Sequence, residues 1–443
     1  MRTAYLLLLS MSAAAAARPL AAQSPPALAA PASAARPIPL DEALALARRN
    51  APAAIAARGQ LRASNYAVRS AYAAFIPSLS VNASTSQSSP ATARINQQTG
   101  ELQSGRWALT EGFSSSVDLF NGRRLFDIRA ARANVRAAES SELAERFTLD
   151  LQVRQQYYAS LAAAESEAAA QAQLSEAEQQ LKVASVKVRA QAATRSDSLR
   201  ARIQVGNAQL ALLSAQTDRQ TADAALTRLV ATPFTVTATP EGLGAEPPVA
   251  LDSATLAQLA EEGPAVREAA ANAEAARAAS RATRAPYLPT LSVGYSRNRA
   301  ANQAEFDLTP DDFRSSGQLR FSLSYPLFNQ LGREESVVRA DIAASNAEAT
   351  LRDARLAAQQ TLTQYVGVLR TARQRIDIQT QAVAAAEEDL RVQQQRYELG
   401  ASLLLDVLTS QTQLTQARVA LIQARFDARV ARAQLEALVG RPL

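Results

Sequence analysis

The chain is predicted to be mainly α-helical with a small β part: long antiparallel helical coiled coils plus four β-strands. Three observations carry that reading. Landmark segments occur twice, about 210 residues apart. Apolar residues hold a seven-residue step over lengths that no compact domain accommodates. Four stretches alternate apolar and polar residues with period two.

The duplication is legible in the order of its parts. Phe75-Ile76-Pro77-Ser78-Leu79 returns as Tyr287-Leu288-Pro289-Thr290-Leu291. Leu119-Phe120-Asn121 returns as Leu327-Phe328-Asn329, and Asp197-Ser198-Leu199 as Asp406-Val407-Leu408. Leu40-Asp41 at the entry matches Leu251-Asp252. Solenoid units run roughly 20–50 residues, so this period marks a duplicated half-protein. The expected division is a signal peptide (1–22), a flexible segment (23–37), a first repeat (38–231), a linker (232–250) and a second repeat (251–440).

The leader follows the secretory pattern: Arg2, then an apolar run from Tyr5 to Leu9 and alanines as far as Ala17. Helices are expected from about Pro52 to Phe75 and from Pro264 to Pro286. Strands follow each. Leu79, Val81, Ala83 and Thr85 alternate with polar residues, as do Phe113, Ser115, Val117 and Leu119. In the second copy the alternating sets are Leu291, Val293, Tyr295, and then Leu319, Phe321, Leu323, Tyr325, Leu327. The hairpins are placed at about 77–120 and 289–328, with the polar stretches 87–106 and 297–316 as outer loops. Alternation over about 10 residues, with aromatic residues near strand ends (Trp107, Phe113, Tyr325, Phe328), matches an outer-membrane barrel. Four strands cannot close a barrel, and an open edge in lipid costs several kcal/mol per unpaired backbone group. Several chains must then share one barrel. The competing reading is a pair of surface hairpins on a soluble helical body, a periplasmic scaffold or adaptor.

Two long helices are predicted, over about 123–193 and 333–399, each on the order of 100 Å at 1.5 Å per residue. Leu362, Leu369, Ile376, Val383, Leu390 and Tyr397 form the clearest seam, with Leu174, Leu181 and Val188 in the first copy. Return helices are expected over 197–230 and 403–438, the second carrying Val407, Leu414, Leu421 and Leu435. Gly400 can take the left-handed conformation that ends a helix, and Ser402 can cap the next. Gln191 stands where Gly400 does, so the two tips are expected to differ.

Composition narrows the function. There is no cysteine and no histidine. Disulfides, thiolate metal sites, the commonest general base and the commonest metal ligand are thereby excluded. No paired-carboxylate motif stands out, so no enzyme activity and no cofactor are expected. The formal charge of +6 comes from 47 basic and 41 acidic residues scattered along helices, with Lys182 and Lys187 the only lysines. No basic block marks a nucleic-acid footprint.

Taken together, these motifs resemble the TolC-type outer-membrane efflux protein family over about residues 38–440. The resemblance rests on Leu40-Asp41-Glu42-Ala43-Leu44, on Pro77-x-Leu79 and Pro289-x-Leu291, and on the Leu-Phe-Asn turns that lead to Gly122-Arg123 and Gly332-Arg333. Its most specific part is Arg396-Tyr397-x-x-Gly400 followed by Asp406-Val407-Leu408. It implies a homotrimer sharing a twelve-stranded barrel in outer-membrane lipid above a periplasmic helical tunnel. The tunnel would meet a periplasmic adaptor and, through it, an inner-membrane transporter of the RND, ABC or a similar class. The stretch from Thr232 to Ala260 is assigned to a belt around the tunnel. Asp406 matches a pore-constricting aspartate, while Thr409 replaces a second one and Ser402 an arginine. Tyr397 and Asp197 match positions that tie neighbouring helices in the closed state. Helix capping competes with gating for both aspartates. Gly400 with Leu403, Leu404 and Leu405 is expected as an exposed apolar tip for adaptor docking, against a reading as packing at the turn.

Overall fold

Two helices of about 100 Å set the shape of the chain: α3 (Gly122–Arg189) and α7 (Gly332–Glu398), of 68 and 67 residues. The computed structural model describes residues 35–95, 102–240, 252–303, 305–308 and 313–443. The expected signal peptide and part of the expected linker lie outside these. Ahead of α3 come β1 (Arg36–Ile38), α1 (Leu40–Asn50), α2 (Pro52–Ala73), β2 (Ser78–Ile95) and β3 (Leu102–Asn121). After it come α4 (Arg195–Val230), β4 (Val236–Ala238), α5 (Ser253–Glu261), α6 (Pro264–Thr283), β5 (Thr290–Gln303) and β6 (Arg314–Ser324). The second return helix, α8 (Leu404–Val439), follows α7.

Each long helix has a shorter helix over its sheet end and a return helix from its tip, and α6 and α8 pack against α3 as well as α7. On α3, α2 covers the end nearest the sheet and α4 returns from the far tip; α6 and α8 do the same for α7. The seam predicted on α7 is the packed one: Leu362, Leu369, Leu390 and Tyr397 are buried, with Ile376 and Val383 half-buried. In α8, Val407, Leu414, Leu421 and Leu435 are buried at the expected seven-residue step. In α3 the buried positions near the tip are Ala177 and Ala184, with Leu181 packed beside them.

The waist is a separate core. β1 pairs in parallel with β4, placing Ile38 against Leu149, Val153, Tyr157, Leu226 and Val230. The Tyr157 hydroxyl lies 2.7 Å from the Thr239 carbonyl and 3.0 Å from that of Ile38. Beside it, Arg48 clamps the Asp150 carboxylate with Nε at 2.8 Å and Nη2 at 2.5 Å.

The four long strands form one antiparallel sheet in the order β2-β3-β5-β6. The two hairpins are therefore neighbours, and β2 and β6 are its edges. The strands run 18, 20, 14 and 11 residues. This corrects the expected loops: most of 87–106 and the ends of 297–316 are strand. Those residues are polar because they extend past the roughly 10 residues a barrel strand needs to cross the hydrocarbon. Among the described residues no helix is long and apolar enough to span a membrane.

Candidate functional site: the sheet and the helical tips

Strand register sorts the sheet into two unlike faces. Val81 lies opposite Phe113, Val293 opposite Phe321, and Tyr295 opposite Leu319, all on one face and, Val293 apart (half-buried), all exposed in the single chain. The apolar band continues through Ile76, Leu327 and Phe328 below the sheet. The other face carries Ser80, Asn82, Ser114, Ser116, Ser292, Ser296, Ser322 and Arg320. Ser80 and Ser114 hydroxyls lie 2.6 Å apart, and those of Ser78 and Ser116 2.9 Å apart. An arginine facing lipid at mid-depth costs about 2–4 kcal/mol. Arg320 sits between the Phe321 and Leu319 rows, so its face is the aqueous interior and the apolar face meets lipid. Above the Tyr295 row the lipid face changes to Arg297 and Arg299, the latter 3.8 Å from Glu111 and stacked 4.5 Å from the Phe313 ring. That row bounds the apolar band.

At the far end, both helical reversals use one backbone. Gly400 has φ +76° and Gln191 φ +57°. The Ala192 amide donates to the Lys187 carbonyl, and the Ala401 amide to that of Arg396, both at 2.8 Å. The tips, expected to differ because Gln191 replaces the glycine, share this turn backbone; what differs between them lies in the side chains. Gln191 accepts the left-handed conformation because the same closing hydrogen bonds hold it.

The aspartates begin the return helices. Thr194 and Asp197 form a full capping box: the Thr194 amide donates to Asp197 Oδ2 at 3.0 Å, and the Asp197 amide to Thr194 Oγ1 at 3.3 Å. At the second tip Leu403 holds the capping position, so only half of the box survives. The Leu403 amide donates to Asp406 Oδ2 at 3.0 Å. Ser402 does not cap; its hydroxyl donates to that same oxygen at 2.9 Å. Thr409 gives its hydroxyl to the Leu405 carbonyl at 2.9 Å, within its own helix.

The three leucines separate. Leu403 is 69% exposed and Leu405 50%, whereas Leu404 is 1% exposed, packed with Tyr397, Val407 and Leu414. Leu404 is therefore a core residue and not part of an exposed tip. Successive helical positions point about 100° apart, so a run of three must send one inward. Leu399, 84% exposed on the other side of Gly400, replaces it on the tip surface.

Tyr397 is 7% exposed, and its hydroxyl has no hydrogen-bond partner among the described residues. Burial raises its pKa, and the negative charge of Asp197 raises it further. Lys187 spans the two hairpins here. Its Nζ donates to the Tyr397 carbonyl at 2.6 Å and lies 4.0 Å from the ring centroid. Sequence reasoning misses Lys187 as a tip residue; its rarity as one of two lysines in an arginine-rich chain is the signal that could have found it.

Two helix faces have no partner among the described residues of the chain. Leu199, Ile203, Leu210 and Leu213 make a heptad stripe on α4 that is exposed throughout. On α7, Val338, Ile342, Leu356, Val368 and Ile378 are likewise exposed.

A lipid-faced, water-lined sheet on a helical tunnel wall of this length defines an outer-membrane channel with a periplasmic extension. The model of the outer membrane efflux protein family matches residues 43–232 and 255–441, and the chain belongs to that family. It is an outer-membrane efflux channel, the exit duct of a tripartite system, and the soluble-scaffold alternative is not favoured. No curated protein sequence matches the chain. Solved structures share its fold. VceC of Vibrio cholerae is 21% identical with TM-score 0.70, over 91% of this chain and 96% of VceC. CmeC of Campylobacter jejuni is 17% identical with TM-score 0.74, over 90% and 85%. CusC is 19% identical with TM-score 0.74, over 94% and 96%.

Proposed function

We propose that three copies of the chain close into one duct, a passive conduit that receives cargo from a periplasmic adaptor docked on its tips. An inner-membrane transporter of the RND, ABC or a similar class would supply the energy. The observation that carries this is the sheet with two open edges. The outer edges of β2 and β6 are unpaired among the described residues, so β6 of one copy pairs with β2 of the next, and three copies give twelve strands with no edge left in lipid. The bare stripes of α4, near the tip, and of α7, between its middle and the sheet, are then left for neighbouring copies to cover. The closed barrel predicts a trimer that stays with outer membranes after a high-salt wash, migrates as a heat-labile species and conducts in a planar bilayer. A protein released by salt, or one without conductance, would refute it.

The tip carries docking and gating in this reading. Leu399, Gly400, Leu403 and Leu405 form the docking surface, supported by their exposure around the turn. Asp406 lines the constriction, with Thr409 one turn on. Asp197 and Tyr397 tie neighbouring helices in the closed state, a role supported by the buried, unpartnered Tyr397 hydroxyl. Capping alone and pore lining separate in one variant. Asp406→Asn removes the charge and should raise single-channel conductance; a cap without a pore role would lower stability by about 0.3–1 kcal/mol and leave conductance unchanged.

A further inference from the structure

We infer that Arg320 forms a ring of three positive charges at mid-depth in the barrel that binds multivalent anions, making the exit segment selective for polyanionic solutes. The inference rests on the trimeric duct reading above.

Arg320 lies opposite Gly294 in the β5–β6 ladder, so no side chain faces it across that pair. Its neighbours in β6, Leu319 and Phe321, point to lipid, which fixes its own direction as inward. The nearest groups on the inner face are neutral: Gln318, Ser322, Ser292 and Ser296. Its side chain makes a long polar contact, Nη2 to Gln318 Oε1 at 3.5 Å. No carboxylate lies within ion-pair distance among the described residues. The carboxylate that shares this face, Asp118 at the base of β3, is already paired with Arg124 at 2.9 Å. Arg314 repeats the positive charge at the outer end of the same strand face.

Closure turns one such arginine into three. Twelve strands about 4.8 Å apart and tilted about 40° enclose a cylinder about 24 Å across; guanidiniums reaching inward from its wall stand about 10 Å apart, near the screening length of physiological salt. Three unpaired positive charges at that spacing match a solute with several anionic oxygens, since each can make charge-assisted hydrogen bonds to phosphate or carboxylate. The lipid walls around the water keep the field concentrated in the lumen.

The test is block of the reconstituted full-length trimer by inorganic tripolyphosphate added on the barrel side. Wild type should be blocked, Arg320→Lys should keep the block, and Arg320→Gln should weaken it roughly tenfold. Equal block of Arg320→Gln and wild type would overturn the inference, as would loss of block in Arg320→Lys with the heat-labile trimer intact. A wild-type trimer that does not conduct at all would instead defeat the duct reading on which this rests.

Discussion

The two helical tips turn through the same hydrogen bonds and present opposite chemistry. The first shows Thr194, Arg195 and Ser196; at the equivalent places the second shows Leu403 and Leu405, with Leu404 between them turned inward. Packing behind them is unequal too. The tip core draws Leu390, Tyr397, Leu404, Val407 and Leu414 from the second hairpin and only Ala184 and Ala201 as buried residues from the first. Backbone geometry is thus common property of the duplication, while anchoring and surface have been divided between its copies.

The largest effect expected from breaking that division is at Leu404. Leu404→Asp should destabilise the tip by more than the ~2–5 kcal/mol of a buried leucine truncation and abolish efflux. Arg195→Asp, its counterpart, should stay within about 0.5 kcal/mol of wild type. Thermal denaturation of the two solubilised trimers compares them directly; equal loss would mean the tips share one core symmetrically. Next, the double variant Leu403→Asp/Leu405→Asp should abolish efflux with trimer level unchanged, while charges at Thr194 and Ser196 should cost far less. Drug susceptibility beside an immunoblot of unheated trimer reads both, and retained efflux in the leucine variant would remove this surface from docking.

A smaller contrast lies in the turn itself. Gln191→Gly should stabilise the first tip, and Gly400→Ala should destabilise the second, each by about 1 kcal/mol, because only the glycine tolerates positive φ without strain. A protease-protection assay at each tip would show the opposite signs.

The smallest effect couples the tips. Tyr397 has a folded pKa raised above the unfolded value of about 10. Its neutral form therefore contributes stability that is fully present below about pH 10 and is lost as pH rises through the folded value. Tip conductance should rise over that alkaline range, Tyr397→Phe should remove the step, and Asp197→Asn should move it to lower pH. Tyrosinate absorbance followed in parallel tests the assignment; a step that persists in Tyr397→Phe belongs to another group.

What could be read from the sequence followed from periodicity. The α7 seam was legible because large apolar residues hold every seventh position from Leu362 to Tyr397, a spacing that a helix paired along its whole length demands. The α3 seam was less so, since Ala177 and Ala184 fill the inner positions and alanine is common everywhere in this chain. Strand existence was legible where one face meets lipid. Strand length was not: beyond the apolar band both faces are wet, the alternation fades, and the hydrogen-bond ladder continues unannounced from Ser84 opposite Thr110 to Gln87 opposite Trp107. The fate of Leu404 needed the third dimension, because a run of leucines does not state which one turns inward.

The waist carries a further consequence, for how the chain acquires its shape. Arg36 finds its partner in Val236, 200 residues later in the sequence. This first described strand must therefore wait until both helices of the first hairpin and the stretch beyond them have been delivered. Contacts of such separation form late, since the loop between them has to be ordered first. Ile38 and the Tyr157 hydroxyl then act as a fastening made after the first repeat is in place, and a chain arrested before residue 236 would leave its leading segment unclaimed.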